Sequence, residues 1–221
     1  MNRTNPVTMP SGRSGRSAKL PAQRDADATR SRILEAGKKH FSQNSYEGVG
    51  VREIAADAAV DPALISRYFG SKEGLFQEIA QHAFGADEFI ADGIEKLPER
   101  VIRILTGQID LGGWRGGNDP LRFLLSSIGS PTAGPILAKN LERDFLAPLS
   151  ASLVGRNRRE RAAILAGQII GFAVMRIVLS TSGDDPAGNA ASCRLLAEVL
   201  AACIAPDRGS VAKSKPRKSA G

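Results

Sequence analysis

The chain has 221 residues, 42% hydrophobic, 24% charged and only 5% aromatic, with a formal net charge of +7. That balance describes a globular chain able to bury a core, and it excludes a wholly disordered or low-complexity protein. The longest apolar run, Ile169 to Leu179, is interrupted by Arg176 and is too short to span a bilayer.

The basicity sits at the ends. Residues 1–24 carry Arg3, Arg13, Arg16, Lys19 and Arg24 with no acid, and residues 206–221 carry five basic residues against Asp207. The stretch between them is slightly acidic. Both ends are rich in Ser, Gly, Pro and Ala, so they are expected to be disordered, either as solubilising tails or as non-specific attractors of phosphate.

Asp27 or Thr29 is placed to cap a first helix running to about Gln43, with Ile33, Gly37 and Phe41 on one face. Asn44 to Gly48 reads as a turn. A short second helix begins near Gly50, with Val51, Ile54, Ala55 and Ala58 inward. Ala59-Val60-Asp61 breaks it, and Asp61 with Pro62 forms the start of a third helix ending at Phe69. Ser71 caps a fourth helix expected to run from Lys72 towards Ile90. Leu97–Leu111, Pro120–Ile128, Ile136–Val154, Arg159–Thr181 and Ala187–Ile204 also read as helices, separated by GGWRGGNDP and SGDDPAG punctuation. Pro148 should kink or interrupt the third of these. The expected fold class is all-α. Cys193 and Cys203 fall on one helix, roughly 15 Å apart at 1.5 Å per residue, too far to bridge each other.

The third helix poses the functional question. It is too short to be stable alone, since isolated helices below about 12–15 residues are marginal in water. On a helical wheel Ile65 and Phe69 form an inward stripe, while Ala63, Leu64 and Arg67 fall on the opposite side and Ser66 and Tyr68 on the flanks. Two short helices joined by a tight turn and braced by longer ones form the helix-turn-helix plan, whose second helix enters the major groove of DNA. Arg67 suits guanine or a phosphate, Ala63 permits close approach, and Leu64 suits a thymine methyl. Tyr68, Ser66 and Lys72 suit phosphate, and Arg52 suits backbone or base edge. The same spacing also describes a plain helical corner with solvated polar residues.

ILEAGKKHF and GVGVREIAADAAVDPALISRYFGSKEGLF closely resemble the N-terminal DNA-binding region of the tetracycline-repressor (TetR) family of bacterial regulators, over about residues 29–76. The resemblance implies a DNA-contact set of Arg52, Pro62, Ala63, Leu64, Ser66, Arg67, Tyr68 and Lys72. Ala59 stands where the family usually has Gly, which puts strain on a left-handed residue there. Gly50 replaces the customary Ser or Thr cap. The implied organisation is a basic arm (1–24), a helix-turn-helix domain (25–75), a helical ligand-binding and dimerisation domain (76–205) and a basic tail (206–221).

The last two long helices, rich in Gly and Ala, suit a four-helix interface between two subunits; a central place in a monomer core is the alternative. Phe123, Phe172, Met175 and Arg176 are candidates for an inducer pocket, with core packing the competing use; Trp114 and Arg115 are candidates to line or gate it. His40 and His82 lack metal-ligand spacing, no nucleophile motif accompanies them, and no cofactor is implied. An enzyme, or an RNA or membrane-surface binder working through its tails, would be the other classes; the latter predicts that deleting 1–24 and 206–221 abolishes binding. The expectation is a non-enzymatic, cytoplasmic, homodimeric repressor that leaves a palindromic double-stranded operator when an unknown small-molecule inducer binds.

Overall fold

The computed structural model describes residues 21–106, 108, 120–180 and 186–206. The expectations for most of the two tails, and for Trp114 and Arg115, lie outside these residues. Every regular element among the described residues is helical. Four helices open the chain: α1 (Pro21–Gln43), α2 (Val51–Asp57), α3 (Pro62–Phe69) and α4 (Lys72–Gln81). A short α5 (Asp87–Ile90) and a 3₁₀ turn (Ile94–Lys96) lead into α6 (Leu97–Leu105). Then come α7 (Pro120–Ser127), α8 (Ala133–Leu141), a π-helical segment (Glu142–Leu146), α9 (Ala147–Ser152), α10 (Arg158–Ser180) and α11 (Pro186–Ile204).

The chain departs from the sequence reading at four places, each for a local reason. Helix α1 starts at Pro21 rather than at a cap on Asp27 or Thr29, so residues 21–24 are helix and not arm. Pro is favourable at a first helical position, and Ala22, Gln23, Arg24, Ala26 and Ala28 are good helix formers. Helix α4 ends at Gln81, not near Ile90: His82 leaves helical geometry (φ −110°, ψ 5°), and the chain turns so that Ala86 N–H reaches the Asp144 carbonyl at 2.9 Å. Helix α6 ends at Leu105 rather than Leu111, where the Thr106 hydroxyl turns back to the Ile102 carbonyl at 2.8 Å.

The fourth departure explains the bond from Ala86 N–H to the Asp144 carbonyl. The expected helix 136–154 begins at Ala133 and widens into a π turn over Glu142–Leu146 before Pro148. Pro148 has no N–H for the Asp144 carbonyl, and its ring would crowd that carbonyl in a regular helix. The wider turn relieves the crowding. Ala86 N–H then takes up the freed acceptor, and the α4–α5 link is fastened to the middle of the body.

Burial divides into two clusters. The first holds Ile33, Phe41, Tyr46, Ile54, Ile65, Leu75, Phe76 and Ile79 together with Phe123, Leu124, Ala133 and Leu137 of α7 and α8. The second holds Leu97, Val101, Phe145, Leu149, Leu153, Leu165, Ile169, Leu196 and Leu200, and Phe84 packs against both. Phe76 is the hub of the first: its ring centroid lies 5.1 Å from Phe41, 5.1 Å from Tyr46 and 4.7 Å from Phe123. The core of the first four helices therefore runs on into α7 and α8. A boundary at residue 75 falls inside α4, between two fully buried side chains of that one cluster.

Candidate nucleic-acid interface

Helix α3 is set by its ends. The Asp61 carboxylate accepts from Ala63 N–H at 2.7 Å, Pro62 opens the helix, and Gly70 closes it at φ 78°. Ser71 then caps α4 by accepting from Gly74 N–H at 3.0 Å. A Cβ on Gly74 would stand 2.0 Å from the Phe69 carbonyl oxygen, so α3 and α4 meet backbone to backbone. Between α2 and α3, Ala59 has φ 52°, the left-handed conformation foreseen for it.

Three contacts brace the pair. Lys39 of α1 donates to both Asp57 carboxylate oxygens, at 3.0 and 2.9 Å, and fixes the end of α2. That hydrogen bond, more than the Lys39 and His40 charges, holds the Asp57 carboxyl below its ordinary pKa. Arg30 lies 5.0 Å from the Phe69 ring centroid and pairs with Glu78, which clasps the end of α3 between α1 and α4. Gly50, despite lacking a side chain, is capped in reverse, since its N–H donates to Glu53 Oε2 at 3.0 Å.

What remains of α3 is a narrow outer edge. Ile65 is fully buried and Phe69 half-buried, as the wheel predicts. Pro62, Ala63, Ser66 and Arg67 are exposed, as is Arg52 near the start of α2. Among the described residues the Arg52, Ser66 and Arg67 side chains make no hydrogen bond or ion pair. Leu64 corrects the sequence reading. It is half-buried against the first cluster rather than projecting from the outer side, and Tyr68 packs there too.

Lys72 also differs in its surroundings. Its Nζ donates to the carbonyls of Tyr46 (2.8 Å) and Val49 (2.9 Å) and lies 4.3 Å from the Tyr46 ring centroid. Ser126 of α7 and Ser130, between α7 and α8, bond to the end of α1 and to the turn that Lys72 holds. Ser126 donates to the Phe41 carbonyl, and Ser130 to Glu47 Oε1 at 2.5 Å. The bond from Ser130 is the main cause of a lowered Glu47 pKa; burial, then Glu73 and Glu47, raise that of Tyr46. None of these contacts was legible as a motif. His40 has a buried Nε2 with no hydrogen-bond partner, 3.5 Å from Asp57.

The inducer-pocket candidates scatter. Phe123 is fully buried against Phe76 and Phe84, the packing use the sequence left open. Phe172 is half-buried against the second cluster. Arg176 donates to Cys193 Sγ at 3.9 Å, so its nearest described partner is a thiol and not an acid. Met175, in contrast, is 51% exposed. It shares an outer face of α10 with Ile164 (51%), Gly167 and Gly171, whose Cβ positions meet nothing within 4 Å; Leu195 (62%) and Val199 (44%) form the matching stripe on α11.

Residues 33–79 match the family model for bacterial regulatory proteins of the tetR family, and residues 95–204 that for the tetracyclin repressor-like C-terminal domain. Among curated proteins the chain is similar to the transcriptional regulatory protein RaaS of Mycobacterium tuberculosis, 31% identical over 52% of this chain and 45% of that one. It is also similar to the transcriptional repressor SCO4008 of Streptomyces coelicolor, 29% identical over 42% of each. The chain thus spans less than half the length of these relatives. Among solved structures NalD of Pseudomonas aeruginosa, a secondary repressor of the MexAB-OprM multidrug efflux pump, superposes with a TM-score of 0.60 at 15% identity, over 83% of this chain and 100% of its own. That likeness concerns the fold.

Proposed function

The chain belongs to the TetR family of bacterial regulatory proteins, and from that membership we propose that it is a homodimeric transcriptional repressor released from DNA by a small-molecule inducer. The observation that carries this reading is the outer edge of α3, where Arg67 and Ser66 stand exposed and unpartnered beside Ala63 while Ile65 anchors the opposite side. Arg67 is the base reader of the set, able to donate bidentately to guanine. Ala63 and Pro62 allow the helix to approach closely, and Ser66, Tyr68 and Arg52 donate to phosphates or base edges. Leu64 offers only its exposed part to a thymine methyl.

In this reading residues 25–75 are the head, and residues 76–205 the sensing and dimerising body. The exposed stripes of α10 and α11 suit a two-fold interface that pairs the same surfaces on both subunits. Two subunits then present two α3 helices to an inverted repeat. An inducer that binds better to one arrangement of the body moves α4, whose Leu75, Phe76 and Ile79 lie in the same cluster as Phe123 of α7, and changes the spacing of the heads. No helix among the described residues is long and apolar enough to cross a membrane.

Selection of bound duplexes from a random DNA pool tests the proposal. A consensus with two-fold symmetry, its half-sites about one helical turn apart, is expected. Enrichment no greater than for unselected DNA would end it.

A further inference from the structure

We infer that Lys72 is a positioning residue of the head rather than one of its phosphate contacts, a refinement that rests on the DNA-binding reading above. An ammonium has three N–H donors. Lys72 spends one on the Tyr46 carbonyl and one on the Val49 carbonyl, and its charge sits over the Tyr46 ring at 4.3 Å. These carbonyls belong to the turn that delivers the chain to Gly50, the first cap of α2. Lys72 itself opens α4, one residue after the Ser71 cap.

The geometry of the unit makes that link consequential. Helices α2 and α3 have seven and eight residues and are joined to each other through Ala59 to Asp61. The far end of α3 passes through Gly70 into α4. Lys72 joins the start of α4 to the approach to α2, and so closes α2, α3 and their turn into a ring. Ile65 is the one fully buried side chain of α3, too little to set the helix's angle without fixed ends. A cation at a helix N-terminus is also unfavourable towards the helix dipole. Here the side chain folds back from that end onto two carbonyls, where the charge-assisted bonds offset the cost.

A phosphate contact and a positioning contact leave different traces in salt. Removing one phosphate contact makes the slope of log K against log salt shallower by about 0.9, and weakens operator and scrambled duplex alike. Removing a positioning contact leaves the slope and the scrambled-duplex affinity in place and lowers operator affinity alone. For Lys72→Met, which keeps the apolar stem, the operator is the duplex selected by the unaltered protein. Its affinity should fall about tenfold or more, well below the melting temperature, with the salt slope unchanged. A merely structural role would lower the melting temperature without moving the operator-to-scrambled ratio.

Amide exchange of residues 50–57, measured without DNA, should quicken in Lys72→Met. In the unaltered protein, should the variant not fold, the Lys72 ammonium nitrogen resonance should hold its position when operator is added. A slope shallower by about one contact, an equal loss on both duplexes, unaltered exchange, or a displaced ammonium resonance would each overturn the inference. If the unaltered protein selects no duplex, the DNA-binding reading fails instead, while the exchange measurement still decides what Lys72 holds.

Discussion

Replacing Ala59 by Gly should stabilise the protein, which is unusual for an Ala-to-Gly change. At φ 52° the Ala59 Cβ crowds the following carbonyl, and an L-residue in this conformation costs about 1–2 kcal/mol. Glycine removes that cost but adds about 0.4–1 kcal/mol of unfolded-chain entropy. The difference is a gain of about 0.5–1 kcal/mol, or about 1–4 °C in melting temperature for a chain of this length. The Ala59 N–H still bonds to the Ala56 carbonyl at 3.1 Å, so no hydrogen bond is lost in the exchange. Ala59→Val supplies the opposite sign, since a β-branched side chain is a worse occupant of the left-handed region. Urea unfolding followed by circular dichroism, with equal m-values for all three proteins, measures both. A destabilised Ala59→Gly, or a Val variant as stable as the parent, would refute the claim that this turn stores backbone strain.

Arg67→Ala should cost about 1–3 kcal/mol of operator binding and relax base preference at one position of each half-site, as read by repeating the selection with the variant. Leu195→Asp should raise the dimer dissociation constant by about a hundredfold or more in sedimentation velocity, because a two-fold interface buries the unpaired charge twice. Asp57→Asn should alter the acid limb of stability. The Lys39 hydrogen bond holds the folded Asp57 pKa below the unfolded value of about 3.9, so the stability it contributes is complete above that value and is lost as pH falls through the folded one. The parent-minus-variant difference in urea midpoint should therefore be present at neutral pH, shrink through the acid range and vanish at its bottom.

The helix-turn-helix was legible because its signals are local. Asp61 before Pro62, Ser71 before Lys72 and Gly70 between them fix helix ends through bonds spanning two or three residues, and the inward pair Ile65 and Phe69 follows from the helical period. Leu64 was misjudged because a wheel knows only its own helix, and its half-burial comes from packing against the first cluster. The carbonyl contacts of Lys72 were not legible for a similar reason. Its acceptors lie 26 and 23 residues away, and they are backbone carbonyls, which every sequence possesses. The bend at Pro148 was foreseen, but not that the helix would widen upstream of it, because that choice depends on Ala86 being at hand to bond the Asp144 carbonyl. On α10, Met175 was set among pocket candidates by its size, whereas its exposure comes from the packing of the whole body.

The distribution of polar contacts bears on how a signal would reach α3. The turn between α1 and α2 is held by Lys72 from α4 and by Ser130 from the α7–α8 corner, and Ser126 of α7 bonds to the Phe41 carbonyl near the end of α1. Coupling between sites in regulators amounts to about 1–3 kcal/mol. One hydrogen bond to a charged group contributes about 1.5–3 kcal/mol when buried and less when exposed. Of the contacts at this turn, the two from half-buried Lys72 are charge-assisted, which makes them comparable in size with such a coupling. The contacts at this turn also join the elements that would have to move together, since Phe76 of α4 and Phe123 of α7 are in ring contact in the same cluster. Close-packed side chains transmit a shift of α7 rather than absorb it. A shift that lengthened the Ser130 to Glu47 bond would remove one hold on the turn while Lys72 kept another. The α2–α3 ring would then tilt about its attachment to α4 as one piece, and α3 would leave the groove with its own contacts intact.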